Sequence, residues 1–118
     1  MSRKSILLPS LLSAPFHRLG EAIQDLEDVG VRLLHYDVMD GHFVPNLTYG
    51  PILIKGLENH IQSQFDVHLM VTNPEVMIKW FDLPNVRSIT IHIEVSHDIQ
   101  RDIQDIRKRG KKVGISMN

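Results

Sequence analysis

The feature that most narrows what this chain can become is an alternation of short β-like runs with helix-like runs. Leu7–Leu12 reads as a first strand. Phe16, Leu19, Ile23 and Leu26 then recur at helical spacing, and Gly30 stands where a helix C-terminus favours it. Leu33–Val38 reads as a second strand, and Asp40–Tyr49 is a polar, turn-rich connection long enough to suggest function. Pro51 opens a short helix through Leu57. Phe65–Val71 is a third strand, followed by an Asn73–Pro74 helix start and apolar Met77, Ile78 and Phe81. Ser88–Ile93 is a fourth strand. Ser96 is expected to cap a helix carrying Ile99, Ile103 and Ile106 and ending at Gly110, and Lys112–Met117 is a fifth strand.

Strands separated by helical crossovers must run parallel, so the chain belongs to the α/β class. The alternation permits either a doubly wound sheet or part of a (β/α)8 barrel. Ser13, Ala14 and Pro15 stand where a dinucleotide-binding fold would place its glycine-rich turn, which argues against nucleotide binding.

Composition excludes several function classes. The net charge is −1, so no long-range field favours nucleic acid or an anionic membrane. There is no cysteine, hence neither a disulfide nor a thiolate metal site, which fits a reducing compartment. No run approaches a membrane span, and Ile6–Leu12, interrupted by Pro9 and Ser10, is too short for a signal segment. A cytoplasmic location is the expectation.

Side chains two apart on a strand share a face. His35 and Asp37 therefore point one way, with Leu34, Tyr36 and Val38 pointing the other. His68 and Met70 share a face of the third strand. Both polar pairs lie toward strand C-terminal ends, where parallel α/β folds carry their sites. Two imidazoles and a carboxylate from neighbouring strands can hold a divalent transition metal. They can equally be core-edge histidines bonded to backbone, and from residue types alone both readings stand. Ser10 can satisfy a local backbone bond or touch a ligand. Met39 and Met70 can be packing or lining. His92 beside Glu94 can fill the sheet interior. His17, His42, His60 and His97 read as solvated.

Four blocks bear on this choice. His35-Tyr36-Asp37-Val38-Met39-Asp40-Gly41-His42-Phe43-Val44-Pro45-Asn46 closely resembles a motif of the ribulose-phosphate 3-epimerases. So do Leu8-Pro9-Ser10-Leu11-Leu12-Ser13-Ala14, Asp66-Val67-His68-Leu69-Met70, and the pair His92 and Glu94. The resemblance implies a (β/α)8 barrel of which residues 1–118 form the N-terminal portion, about the first five strands and four helices, with the C-terminal portion lying beyond Asn118. It implies His35, Asp37 and His68 as ligands of a divalent metal (zinc, iron, manganese or cobalt), and Asp37 as one of two catalytic carboxylates. Ser10 and His68 would contact substrate, and Met39 and Met70 would line the reacting carbons. The second carboxylate and the phosphate-binding loops would lie beyond Asn118.

The implied reaction interconverts D-ribulose 5-phosphate and D-xylulose 5-phosphate through an enediolate, in the pentose phosphate pathway. The implied partner is a phosphorylated ketose. The open strand edges of a half-barrel lead us to expect a homo-oligomer. An allulose-phosphate epimerase and a non-catalytic metal-binding or self-associating half-barrel are the alternatives. Decarboxylases of the orotidine-phosphate type carry a lysine at the position of Met39, which sets them apart.

Overall fold

The computed structural model describes residues 4–118. Four parallel strands, β1 (Leu33–Met39), β2 (Gln64–Met70), β3 (Val86–His92) and β4 (Lys112–Ser116), lie side by side in chain order. Between and before them run α1 (Leu19–Asp28), α2 (Pro51–Leu57), α3 (Pro74–Trp80) and α4 (Ile99–Lys108). No helix among the described residues is long and apolar enough to cross a membrane.

Local chemistry sets the helix ends. Pro51 and Pro74 open α2 and α3, where a missing N–H costs nothing. Helices α1 and α4 end in the same way, each followed by a glycine at positive φ, Gly30 at 98° and Gly110 at 77°. The next residue's N–H then reaches back, Val31 to the Leu26 carbonyl and Lys111 to the Ile106 carbonyl. The cap of α4 differs from expectation. Asp98, not Ser96, accepts the Arg101 N–H at 3.1 Å, while Ser96 Oγ donates to Asp102 Oδ2 at 2.6 Å.

One apolar layer lies between the helices and one sheet face. Leu34, Tyr36 and Val38 of β1, Phe65, Val67 and Leu69 of β2, and Ile89 and Ile91 of β3 are buried there against Ile23, Ile54, Ile78 and Ile106 of the four helices. Each such side chain contributes roughly 1.5–3 kcal/mol on leaving water. Tyr36 sits at its centre, 4.3 Å from Tyr49 and 5.4 Å from Phe65 between ring centroids, and its hydroxyl donates to the Gly50 carbonyl at 2.6 Å. Strand order without reversal and helices on a single face are the marks of barrel winding. A doubly wound sheet reverses its order and covers both faces. The fold is thus a parallel sheet consistent with part of a (β/α)8 barrel.

The expected strand at Leu7–Leu12 does not form. Ser10 makes one isolated parallel bridge to His35, with the His35 N–H donating to the Pro9 carbonyl at 2.8 Å, and Leu11–Ser13 turns into a 3-10 segment. Pro9 has no N–H to offer a ladder, and Ile6 and Leu7 are exposed, so apolar burial does not hold the segment extended against β1. The other four expected strands are present within a residue or two of their expected bounds.

Candidate functional site

The face turned away from the helices carries the polar residues in transverse layers. Register pairs His35 with Asp66 and Asp66 with Ser88. One layer on, Asp37 pairs with His68, His68 with Thr90, and Thr90 with Gly114. Met39 and Met70 pair at the strand ends. Alternation therefore does the positioning: the backbone parity that buries Tyr36 and Val67 turns His35, Asp37 and His68 to this face.

The three side chains converge. His35 Nε2 lies 2.9 Å from Asp37 Oδ1, and His68 Nδ1 lies 3.2 Å from the same oxygen. Ligand atoms of His35, Asp37 and His68 all fall within 4.8 Å of one another. Asp37 is the most enclosed of the three, with 13% of its side chain exposed. Ser10 joins the group, its Oγ donating to Asp37 Oδ2 at 3.5 Å while accepting the Leu12 N–H at 3.3 Å. The local backbone bond read for Ser10 is present, and the same hydroxyl also meets Asp37.

The ring nitrogens that face outward from Asp37 are also taken. His35 Nδ1 is 2.9 Å from Asp66 Oδ2, and Asp66 Oδ1 accepts a hydrogen bond from Ser88 Oγ. His68 Nε2 lies 2.8 Å from His92 Nε2, and His92 Nδ1 lies 3.2 Å from Glu94 Oε2. His92 is 6% exposed. It therefore meets His68 directly, beyond the interior-filling role read from sequence. Asp66 has no role in the sequence reading, although it shares the parity of His68. His17, His42, His60 and His97 are exposed.

Hydrogen-bond polarity tests whether the cluster suits a cation. An ionised Asp66 can only accept, so the His35 proton sits on Nδ1. The Nε2 of a neutral His35 then aims a lone pair at Asp37 Oδ1, acceptor against acceptor at 2.9 Å. Such a pair needs a positive group, either a second proton on the ring or a bound cation. The hydrogen bond that His35 donates to Asp66, opposed by burial and aided by the Asp37 charge, raises the His35 imidazole above its ordinary value. Burial first, and then His92, lowers His68. Burial pushes the Asp66 carboxyl up, but the bonds from His35 and Ser88 outweigh it and leave Asp66 below the usual carboxylate range. Two imidazole nitrogens and a carboxylate oxygen, each braced from behind, form a donor set suited to a divalent transition metal.

The connection after β1 closes over one side of the site. Asp40 Oδ1 accepts the His42 and Phe43 N–H groups at 2.8 and 2.9 Å. Its Oδ2 accepts the Thr72 N–H at 2.9 Å, joining the ends of β1 and β2. Phe43 is thereby laid against His92, with 4.9 Å between ring centroids.

Comparison with known proteins gives a consistent result. A family model described as the ribulose-phosphate 3 epimerase family matches residues 6–118. A ribulose-phosphate 3-epimerase of Treponema pallidum (strain Nichols) is 47% identical over 117 residues, covering 99% of this chain and 54% of the relative. Those of a Synechocystis species and of Escherichia coli (strain K12) are 39% and 40% identical, over 100% and 98% of this chain and 52% of each relative. The chain spans about half the length of the curated relatives it matches.

Proposed function

The chain belongs to the ribulose-phosphate 3-epimerase family, and from that premise we propose that it supplies the metal-binding and one proton-transfer face of an enzyme that interconverts D-ribulose 5-phosphate and D-xylulose 5-phosphate. The observation that carries the reading is the convergence of His35 Nε2 and His68 Nδ1 on one oxygen of Asp37. His35, Asp37 and His68 would hold a divalent ion, and zinc, iron, manganese and cobalt all suit this donor set. Bound there, such an ion supplies electrostatic stabilisation of negative charge at the sugar oxygens.

The chain's own residues account for the rest of this face. Asp37 takes or returns the proton at C3, the carbon next to the ketone, acting as general base or acid. Ser10 Oγ, hydrogen-bonded to Asp37 Oδ2, holds the carboxylate's orientation and stands ready to contact the substrate. His68 shares that substrate contact. Met39 and Met70, paired at the strand ends beside the Asp37–His68 layer, line the approach to the reacting carbons and keep water from them. Inversion at a planar carbon requires a second acid on the opposite face. On this reading it comes, with the phosphate-binding loops, from the half of the relatives' length that this chain does not span.

The test uses a full-length protein carrying this segment. Asp37→Asn should weaken substrate binding modestly and cut turnover by ~10³-fold or more, because acid/base and charge-stabilising contributions are lost together. Exchange of the C3 proton with deuterated water, followed by NMR, should fall in parallel. Near-normal exchange in that variant removes Asp37 from its role.

A further inference from the structure

His92 and Glu94 lie outside the group that meets at Asp37, yet their bonds have a direction that reaches it. Glu94 Oε2 is 3.2 Å from His92 Nδ1, and an ionised carboxylate can only accept. With its proton on Nδ1, His92 offers Nε2 as an acceptor. His68 Nε2, 2.8 Å away, must then be the donor. A neutral His68 with its proton on Nε2 has its lone pair on Nδ1, the atom 3.2 Å from Asp37 Oδ1. Read from Glu94, each direction follows from the one before it; read from Asp37, whose ionised Oδ1 also only accepts, the same rule reverses every bond, and a cation between Asp37 and His68 Nδ1 selects the first direction.

The surroundings keep this chain of bonds in one geometry. The rings of His68 and His92 are nearly parallel, with 15° between their planes. Phe43 covers His92 from the loop after β1. Glu94 is held in turn through its other oxygen, which accepts the Asn118 N–H at 2.6 Å. The polar bonds of His92 therefore run to two partners, Glu94 on one side and His68 on the other.

We propose that His92 and Glu94 are positioning residues that fix the proton of His68 on Nε2 and so present its Nδ1 as a metal ligand. The proposal rests on the reading of His68 as a ligand. It makes the two imidazoles of the site mirror images in chemistry: His35 is braced by a carboxylate directly, and His68 by a carboxylate acting through a second imidazole. Groups placed behind metal-binding histidines typically change affinity by about 10–100-fold when removed.

The experiment separates this proposal from the function on which it rests. Long-range nitrogen–proton NMR on the zinc-loaded 118-residue chain near neutral pH reads which nitrogen of His68 carries the proton, with no turnover involved. We expect Nε2 protonation of His68 and Nδ1 protonation of His92. A His68 proton on Nδ1 overturns the proposal without any variant. His92→Phe keeps a ring in place but removes the acceptor. It should release His68 into a mixture of tautomers and weaken binding of zinc alone, followed by calorimetry, by about 10–100-fold. His92→Gln offers an amide oxygen to the His68 N–H and should restore affinity to within a few-fold of the parent. Unchanged His68 signals and zinc affinity in folded His92→Phe overturn the proposal, as does equal loss in His92→Gln. A parent chain that binds no zinc sinks the metal reading itself, whereas zinc binding with the His68 proton on Nδ1 overturns only the proposal.

Discussion

Gly114 offers a sharp test of how tightly the site's floor is packed. It faces Thr90 across the β3–β4 ladder, and a Cβ added there would fall onto Thr90 Oγ1, with Thr90 Cβ at 3.1 Å and Cγ2 at 3.2 Å. Gly114→Ala therefore requires Thr90 to move. Threonine is stiff at χ1, and turning it to present its Cβ hydrogen to β4 drives both branches toward His68, its partner on the other side. Overpacking of this kind costs about 1–3 kcal/mol. Alanine recovers roughly 0.5–1 kcal/mol because glycine weakens a strand. The expected net loss is about 1–2 kcal/mol. In a Thr90→Ala background the branches are gone, and the one Cβ left at that position, 3.1 Å away, needs only a small easing of the ladder. There Gly114→Ala should be neutral or slightly stabilising, giving a coupling of about 2 kcal/mol between the sites. Urea denaturation of the four chains measures it, as a midpoint shift of about 0.5–1 M for the single variant. A Gly114→Ala chain within about 0.5 kcal/mol of the parent, or the same penalty with and without Thr90, refutes the reasoning.

Two further outcomes are expected. Glu27 Oε2 accepts the Gln62 and Ser63 N–H groups and the Ser63 hydroxyl, at 2.7, 2.6 and 2.6 Å; burial pushes its carboxyl up, but these bonds outweigh it and hold it below its ordinary value of 4.5. Its folded pKa being depressed, its contribution is whole above about pH 4.5 and is lost as pH falls through the folded value. Glu27→Gln should cost about 1–2 kcal/mol at pH 7 and flatten the acid limb of a stability-against-pH curve; an unchanged acid limb contradicts the assignment. Asp66→Ala should lower zinc affinity by about 10–100-fold in calorimetry by freeing His35, whereas Asp66→Asn, which keeps an acceptor, should lose less. Equal affinities for parent and Asp66→Ala would show that His35 needs no brace.

The parts of this fold that sequence makes legible are those governed by period. Alternation from Leu33 to Met39 assigns Tyr36 to the core and Asp37 to the site, because a strand has only two faces. What the period misses is whether a run finds a partner. Leu7–Leu12 has a strand's composition, yet Pro9 interrupts any ladder and only Ser10 bridges to His35. Asp66 is within reach of the same reasoning, since it lies two residues from His68 and so on its face, but a reading centred on histidines passes over the carboxylate beneath them. The His68–His92 contact is not readable, because it depends on how the side chains of neighbouring strands tilt toward each other. Ser96 and Asp98 show the same limit at a helix start: both can cap, and the turn after β3 decides which one meets the first N–H groups.

The sheet adds its strands in the order in which they are translated, and that gives the site an early birth. His35, Asp37 and His68 come from β1 and β2 alone, so β2 on leaving the ribosome already completes the trio. Later βα units dock onto a finished edge and need no earlier strand to make room, which keeps the contacts to be closed at each step short in sequence. His92 and Glu94 arrive one strand later still. A nascent chain halted after β2 would carry the trio without the His92 and Glu94 contacts behind His68.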